Sequence, residues 1–242
     1  MKITTVLTAV TDNPKYTKFI PFFISQWKKL YPEIKIKIVF IGSQLPSNLN
    51  IYKEYIDLFP EIPNISSVYI AQTIRLLYPA LLQDEVTVIT DMDMVPANRT
   101  YFQQEIEEGS FTIFRPLKCV GQREIAICYN AAQTSVWKSV FGINTLEDVR
   151  SFLIKNYKYC DGIHGGKGWI SDQLILFNSV SNWNGGKKII LGDNQFRRID
   201  FIHHNYDKNM FLSMLNTEEY SDAHFYADLC PWSEKNMLRF TQ

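Results

Sequence analysis

The chain has 242 residues, 46% hydrophobic and 21% charged, with 25 lysines plus arginines against 25 aspartates plus glutamates. That balance can bury a large core, and the length fits a single α/β domain. A net charge near zero speaks against a broad nucleic-acid footprint, and no apolar run approaches the roughly 18 residues that a spanning helix needs.

Ile3 to Val10 reads as a first strand ending in Thr11-Asp12-Asn13-Pro14, where Asp12 or Asn13 can cap a helix with Pro14 at its first position. Ile20, Phe23, Ile24 and Trp27 recur at helical spacing. Ile34 to Ile41 is the second strand, so the chain opens with a β-α-β unit and its parallel, right-handed crossover. Ile51 to Phe59 reads as a short helix and Val68 to Ile70 as a brief strand. Ala71 to Leu82 reads as a helix whose last turn Pro79 disturbs. Val86 to Thr90 is a run rich in β-branched residues, the mark of a buried parallel strand. Beyond it, Phe111 to Phe114 and Ile125 to Tyr129 are predicted strands, and Gln133 to Phe141 and Leu146 to Tyr157 predicted helices. Ser171 can cap a helix reaching about Val180. Lys188 to Leu191 and Ile199 to Ile202 are late strands, and the remainder to Gln242 is expected to be helical and irregular. Cys119, Cys128, Cys160 and Cys230 show no metal-knuckle or disulfide-framework spacing. With no cleavable leader pattern at Met1, the expectation is a reducing, cytoplasmic setting.

The chemistry concentrates where the Val86 strand ends, in Asp91-Met92-Asp93. Carboxylates two apart at a strand tip can share a hard cation, Mg²⁺ or Mn²⁺, which in turn can hold a diphosphate. The same spacing also arises in ordinary turns. Arg75, on the preceding helix among core-facing Ile74 and Leu77, is either a solvated arginine or a phosphate or sugar contact. Asp172-Gln173 opens a helix after the glycine-rich stretch 161–169, so the acid is either a dipole partner or a group aimed into a cleft. His203 and His204 follow the last predicted strand. His203 is the candidate third metal ligand, and an imidazole suits Mn²⁺ better than Mg²⁺. The glycine-rich stretch lacks the phosphate-loop pattern and reads as a lid or acceptor-side loop.

Taken in order, these pieces resemble GT-A glycosyltransferases, and among them the family 8 type that uses nucleotide-sugars. Leu7-Thr8-Ala9-Val10-Thr11-Asp12-Asn13 looks like the strand and loop that receive the nucleoside. Ile74-Arg75-Leu76 looks like the family's A-R-L helix, and Asp91-Met92-Asp93 like its D-x-D. Tyr129-Asn130-Ala131-Ala132 resembles the segment lining the donor-sugar pocket. Asp172 to Asn178 resembles D-Q-x-x-L-N with one residue added, and Phe201-Ile202-His203 resembles the I-I-H strand. Ala132 stands where the family prefers glycine. Of a late H-x-G-x-x-K-P-W signature only His203 and, one residue too close, Lys208 stand here. The resemblance implies a mainly parallel central sheet in one domain, residues 1–95 forming the nucleotide half and 96–242 the acceptor and donor-sugar half. It implies that Thr8, Ala9, Val10 and Thr11 cradle base and ribose, and that Asp91, Asp93 and His203 hold Mn²⁺ or Mg²⁺ against the diphosphate, with Met92 between them. Arg75, Asn130, Asp172 and Gln173 would orient the donor sugar, and Lys208 would touch the diphosphate. The implied reaction moves a sugar, from UDP in the first instance, to a glycan or other hydroxyl acceptor. Retention is favoured, with Asp172 and Gln173 positioning; inversion would make Asp172 a general base.

Two rival readings stay open. Asp91 to Val95 also fits the nucleophile motif of a haloacid-dehalogenase-type phosphatase, and Gly192-Asp193 imitates its late acid motif, although a β-α-β unit precedes the nucleophile strand and the next acid, Asp200, is misplaced. A non-catalytic nucleotide-sugar or glycan-binding protein could use the same scaffold. Aromatic residues at 14% are compatible with carbohydrate contact, with peripheral membrane contact, or with core alone.

Overall fold

The computed structural model describes residues 1–83, 85–115, 123–163, 165–192, 196–200, 213–214 and 217–225. A seven-stranded sheet runs through the chain in the order β3-β2-β1-β4-β7-β6-β8. The strands are β1 (Thr5–Thr11), β2 (Lys35–Ile41), β3 (Ile56–Phe59), β4 (Val86–Ile89), β6 (Phe111–Ile113), β7 (Asn130–Gln133) and β8 (Lys188–Ile190). The first four are mutually parallel. Only β7 runs against its neighbours β4 and β6, and β8 pairs parallel with β6. A three-stranded sheet, β5-β10-β9, stands beside it, formed by β5 (Met94–Pro96), β9 (Arg197–Asp200) and β10 (Tyr220–His224). The expected mixed, mainly parallel α/β architecture is what the chain adopts.

Alternation along the strands divides the core between the two faces of the large sheet. Val6 and Val10 of β1, Ile36 and Ile38 of β2 and Val88 of β4 pack against α2 (Ile20–Leu30) and its Phe22, Phe23 and Trp27. Leu7, Ala9, Val39 and Ile89 face the other way. There they meet α3 (Ser67–Leu77), α4 (Thr134–Phe141), α5 (Leu146–Asn156) and α6 (Ser171–Asn182). A strand buried on both faces must be apolar at nearly every position, which is why the β4 run was legible in the sequence. Among the described residues no helix is long and apolar enough to cross a membrane.

The structure corrects several local expectations. The first helix is broken: α1 covers only Pro14–Thr17, capped by the Asn13 side chain, which accepts from Lys15 N at 3.0 Å, and α2 restarts at Ile20. Pro21 has no N–H to continue the ladder across the break. The predicted helix 51–59 is a 3₁₀ turn, Ser47–Tyr55, followed by β3, whose backbone the parallel edge of β2 captures. No strand forms at Val68; α3 already begins at Ser67 and passes into a 3₁₀ turn at Tyr78–Leu81, where Pro79 sits. The strand expected over Ile125–Tyr129 lies instead at Asn130–Gln133, because β4 and β6 together clamp the small Ala131 and Ala132 between them. Ser171 is the first residue of α6 rather than its cap. Within the expected helical tail, Tyr220–His224 is a strand held by β5 and β9.

Candidate active site

The parallel strands follow the order 3-2-1-4, so connections leave β1 to one side before β4 and to the other side at β4. Between the carboxyl ends of β1 and β4 the crossovers diverge and open a crevice, the usual ligand position in such sheets. A cavity of about 340 Å³ lies there. Ala9, Val10 and Thr11 at the end of β1 and Asp91, Met92 and Asp93 beyond β4 line it, as do Arg75 of α3 and Asp172 and Gln173 at the start of α6.

Arg75 ties the two helices to the acid pair. Its guanidinium donates to Asp91 and, at 2.9 Å, to Asp172 Oδ2, and also to the carbonyls of Thr90 and Gln72. It is only 7% exposed. Burial works against the ionised form of Asp91, yet the adjoining Arg75 charge holds that carboxyl below its ordinary range. Asp172 goes the other way: burial, reinforced by the nearby Asp91 charge and only partly offset by Arg75, pushes it up to about 7. One guanidinium thus serves two carboxylates, and the deeper of them is left near neutrality.

Asp93 and Met94 join the two sheets. The Asp93 carbonyl accepts from Phe225 N at 2.9 Å, and Met94 pairs with His224 across the β5–β10 ladder. This brings His224 Nε2 to 3.8 Å from Asp93 Oδ2, with the imidazole lining the same cavity. Two carboxylates and an imidazole facing one cavity are a donor set suited to Mn²⁺. Among the described residues, no three such side chains are drawn together closely enough to hold an ion as they stand, and Asp91 is meanwhile occupied by Arg75.

No protein-family model matches the chain, and no curated protein matches its sequence. Solved structures do resemble it. A galactosyltransferase, LgtC, solved in complex with donor and acceptor sugar analogues, aligns with a TM-score of 0.52 at 12% identity over 98% of this chain and 95% of its own. The glycosyltransferase GlyE of Streptococcus pneumoniae TIGR4 aligns with a TM-score of 0.54 at 16% identity over 100% of this chain and 60% of its own. The chain has the GT-A fold.

Against that GT-A frame the expected site residues divide. Ala9, Val10, Thr11, Arg75, Asp91, Met92, Asp93, Asp172 and Gln173 converge on the cavity. Thr8 does not: it is fully buried within β1, one residue below the rim. Asn130 is also fully buried and does not line the cavity; its amide donates to the carbonyls of Ala126 and Ile127, which do. Its place is behind the wall, bracing it. His203, His204 and Lys208 lie outside the described residues, as does Asp193, on which the phosphatase reading leaned.

The sequence reading missed His224 and Arg198, both at the cavity. A signal for His224 existed. Pro231-Trp232 follow it at seven and eight residues, one residue wider than the late signature sought after His203, and Cys230 occupies the position before the proline. Arg198 carried no local signal, since only pairing with β10 turns it inward.

Proposed function

We propose that the protein is a metal-dependent glycosyltransferase that moves a sugar from a nucleotide diphosphate, UDP in the first instance, to a hydroxyl of a glycan or similar acceptor. The observation that carries this reading is the convergence of Asp91, Asp93 and His224 on one cavity at the switch point of a GT-A sheet. The fold's likeness to LgtC, which was solved with donor and acceptor sugar analogues, supports it. The cavity also brings Arg75 and Arg198 into its wall beside the acid pair, cationic groups of the kind that contact a diphosphate.

In this reading Asp91, Asp93 and His224 would hold Mn²⁺ or Mg²⁺, which supplies charge neutralisation to the departing diphosphate. The β1 end and the start of α1 receive base and ribose, and Arg75 fixes Asp172 beside the donor sugar. Asp172 is buried and already engaged by Arg75, which favours a positioning role over that of a free general base, and with it retention. The bond from the sugar's anomeric carbon to the phosphate oxygen breaks, the acceptor oxygen bonds to that carbon, and the acceptor's proton passes to the leaving phosphate. The test is UDP-sugar hydrolysis with and without Mn²⁺ by wild type and Asp93→Ala. Metal-stimulated turnover should vanish in the variant; equal stimulation in both rejects the assignment.

A further inference from the structure

Behind the metal-ligand candidates sits a second charged centre. Asp222 is fully buried. It accepts from Arg198 Nε at 2.8 Å and from Arg115 Nη2 at 2.6 Å, and also from the hydroxyls of Ser221 and Tyr129. The two arginines are not equivalent. Arg115 lies over the Tyr101 ring and donates to Ser221, and it is not part of the cavity wall. Arg198 is in the wall. Its Nε is held from behind by Asp222 and its Nη2 donates to the Cys128 thiol at 3.3 Å, so its cationic fork is fixed in place before any ligand arrives.

The β9–β10 pairing determines where that charge points. Arg198 pairs with Asp222 and Asp200 with His224. Alternation puts Asp222 and His224 on one face of β10 and turns neighbouring Arg197 outward, to Glu219 and 74% exposure. The imidazole proposed for the dication and the fixed guanidinium therefore share one face of one small sheet, two residues apart in register. Asp91 lies across the same cavity.

We infer that Arg198 is a diphosphate-binding residue, whose fork takes the anionic leaving group while Asp222 holds it in place from behind. This rests on the proposed function and adds a contact that the D-x-D and its neighbours do not supply. A preorganised guanidinium suits the purpose because a planar fork matches phosphate oxygens and loses little freedom on binding. Arg198→Met leaves Asp222 paired with Arg115, so the interior keeps a neutral pair.

The experiment is a calorimetric titration of the full chain with uridine diphosphate and with uridine, both in the presence of Mn²⁺. The expected result is that Arg198→Met weakens uridine diphosphate by roughly ten- to a hundredfold, the worth of one charge-assisted bond, and leaves uridine unchanged. Should that variant fail to fold, Arg198→Lys carries the same comparison, with a smaller loss again confined to the diphosphate. Undiminished diphosphate binding in a folded Arg198→Met, or an equal loss of both ligands in either variant, overturns the assignment. A wild type that binds no uridine diphosphate with Mn²⁺ refutes the proposed function itself and this contact with it.

Discussion

Replacing Arg75 with methionine tests the electrostatic centre of the site. The guanidinium is buried and donates to Asp91 and Asp172 as well as to two carbonyls. Removing one partner of a buried ion pair costs about 3–5 kcal/mol, because an uncompensated charge stays behind. Here the cost is unevenly shared. Asp91 is 31% exposed and water can re-screen it, whereas Asp172 is 5% exposed and cannot recover its hydration. Asp172 already sits near 7 with Arg75 beside it, so without Arg75 it rises further and binds a proton instead. The penalty should therefore be largest at alkaline pH, and between pH 8 and pH 5.5 it should shrink by at most about 1.4 kcal/mol, because below about 7 wild type takes up the same proton. Urea unfolding of wild type, Arg75→Met and Arg75→Met/Asp172→Asn at both pH values reads this directly, provided the m-values agree. The double variant should regain at least half the loss at pH 8. A cost below about 1 kcal/mol at pH 8, or one that ignores pH and the second substitution, would refute the buried-pair account.

Three further outcomes follow from the same geometry. In wild type the folded-state value of Asp172 is raised from 3.8 to about 7, so the folded chain binds the extra proton between those values and stability falls as pH rises through that window. The span corresponds to on the order of 4 kcal/mol, and Asp172→Asn should flatten the dependence of the unfolding midpoint on pH. His224→Ala should weaken Mn²⁺ binding at least about tenfold in a metal titration, as loss of even a supporting group does, while His203→Ala leaves it intact; the reverse order would return the ligand role to His203. Asn130→Ala deletes the bonds to the Ala126 and Ile127 carbonyls. It should cost roughly 1–3 kcal/mol in chemical unfolding and weaken UDP-sugar binding through the loosened wall, and an unchanged midpoint would show that the brace is idle.

The residues legible in the sequence are those whose role follows from near neighbours. The β4 strand announced itself because both its faces are buried, and Asp91 and Asp93 were fixed at its tip by chain continuity. Arg75 and Asp172 could be named as candidates from their places on helices, but that they share one bond network depends on α3 packing against α6 across 97 residues. Thr8 and Asn130 sit in the interior because of their place along the chain: Thr8 is one residue below the rim of β1, and Asn130 lies two residues past the wall formed by Ala126, Ile127 and Cys128. Where along a strand the cavity opens depends on which distant segments close over its end, and that is not written in the strand itself.

Sequence alone thus determined the alternating α/β half, the strand-tip acids and the cavity's first wall, because local periodicity and chain order encode them. Only tertiary structure decided the opposite wall. The segment 220–225 is polar and short, and nothing within it calls for a strand. It becomes one when β5 and β9 supply backbone partners from more than a hundred residues earlier and about twenty residues earlier. That pairing buries Asp222, turns Arg198 inward and brings His224 beside Asp93, because side-chain direction in a sheet is set by register, a property of two segments together.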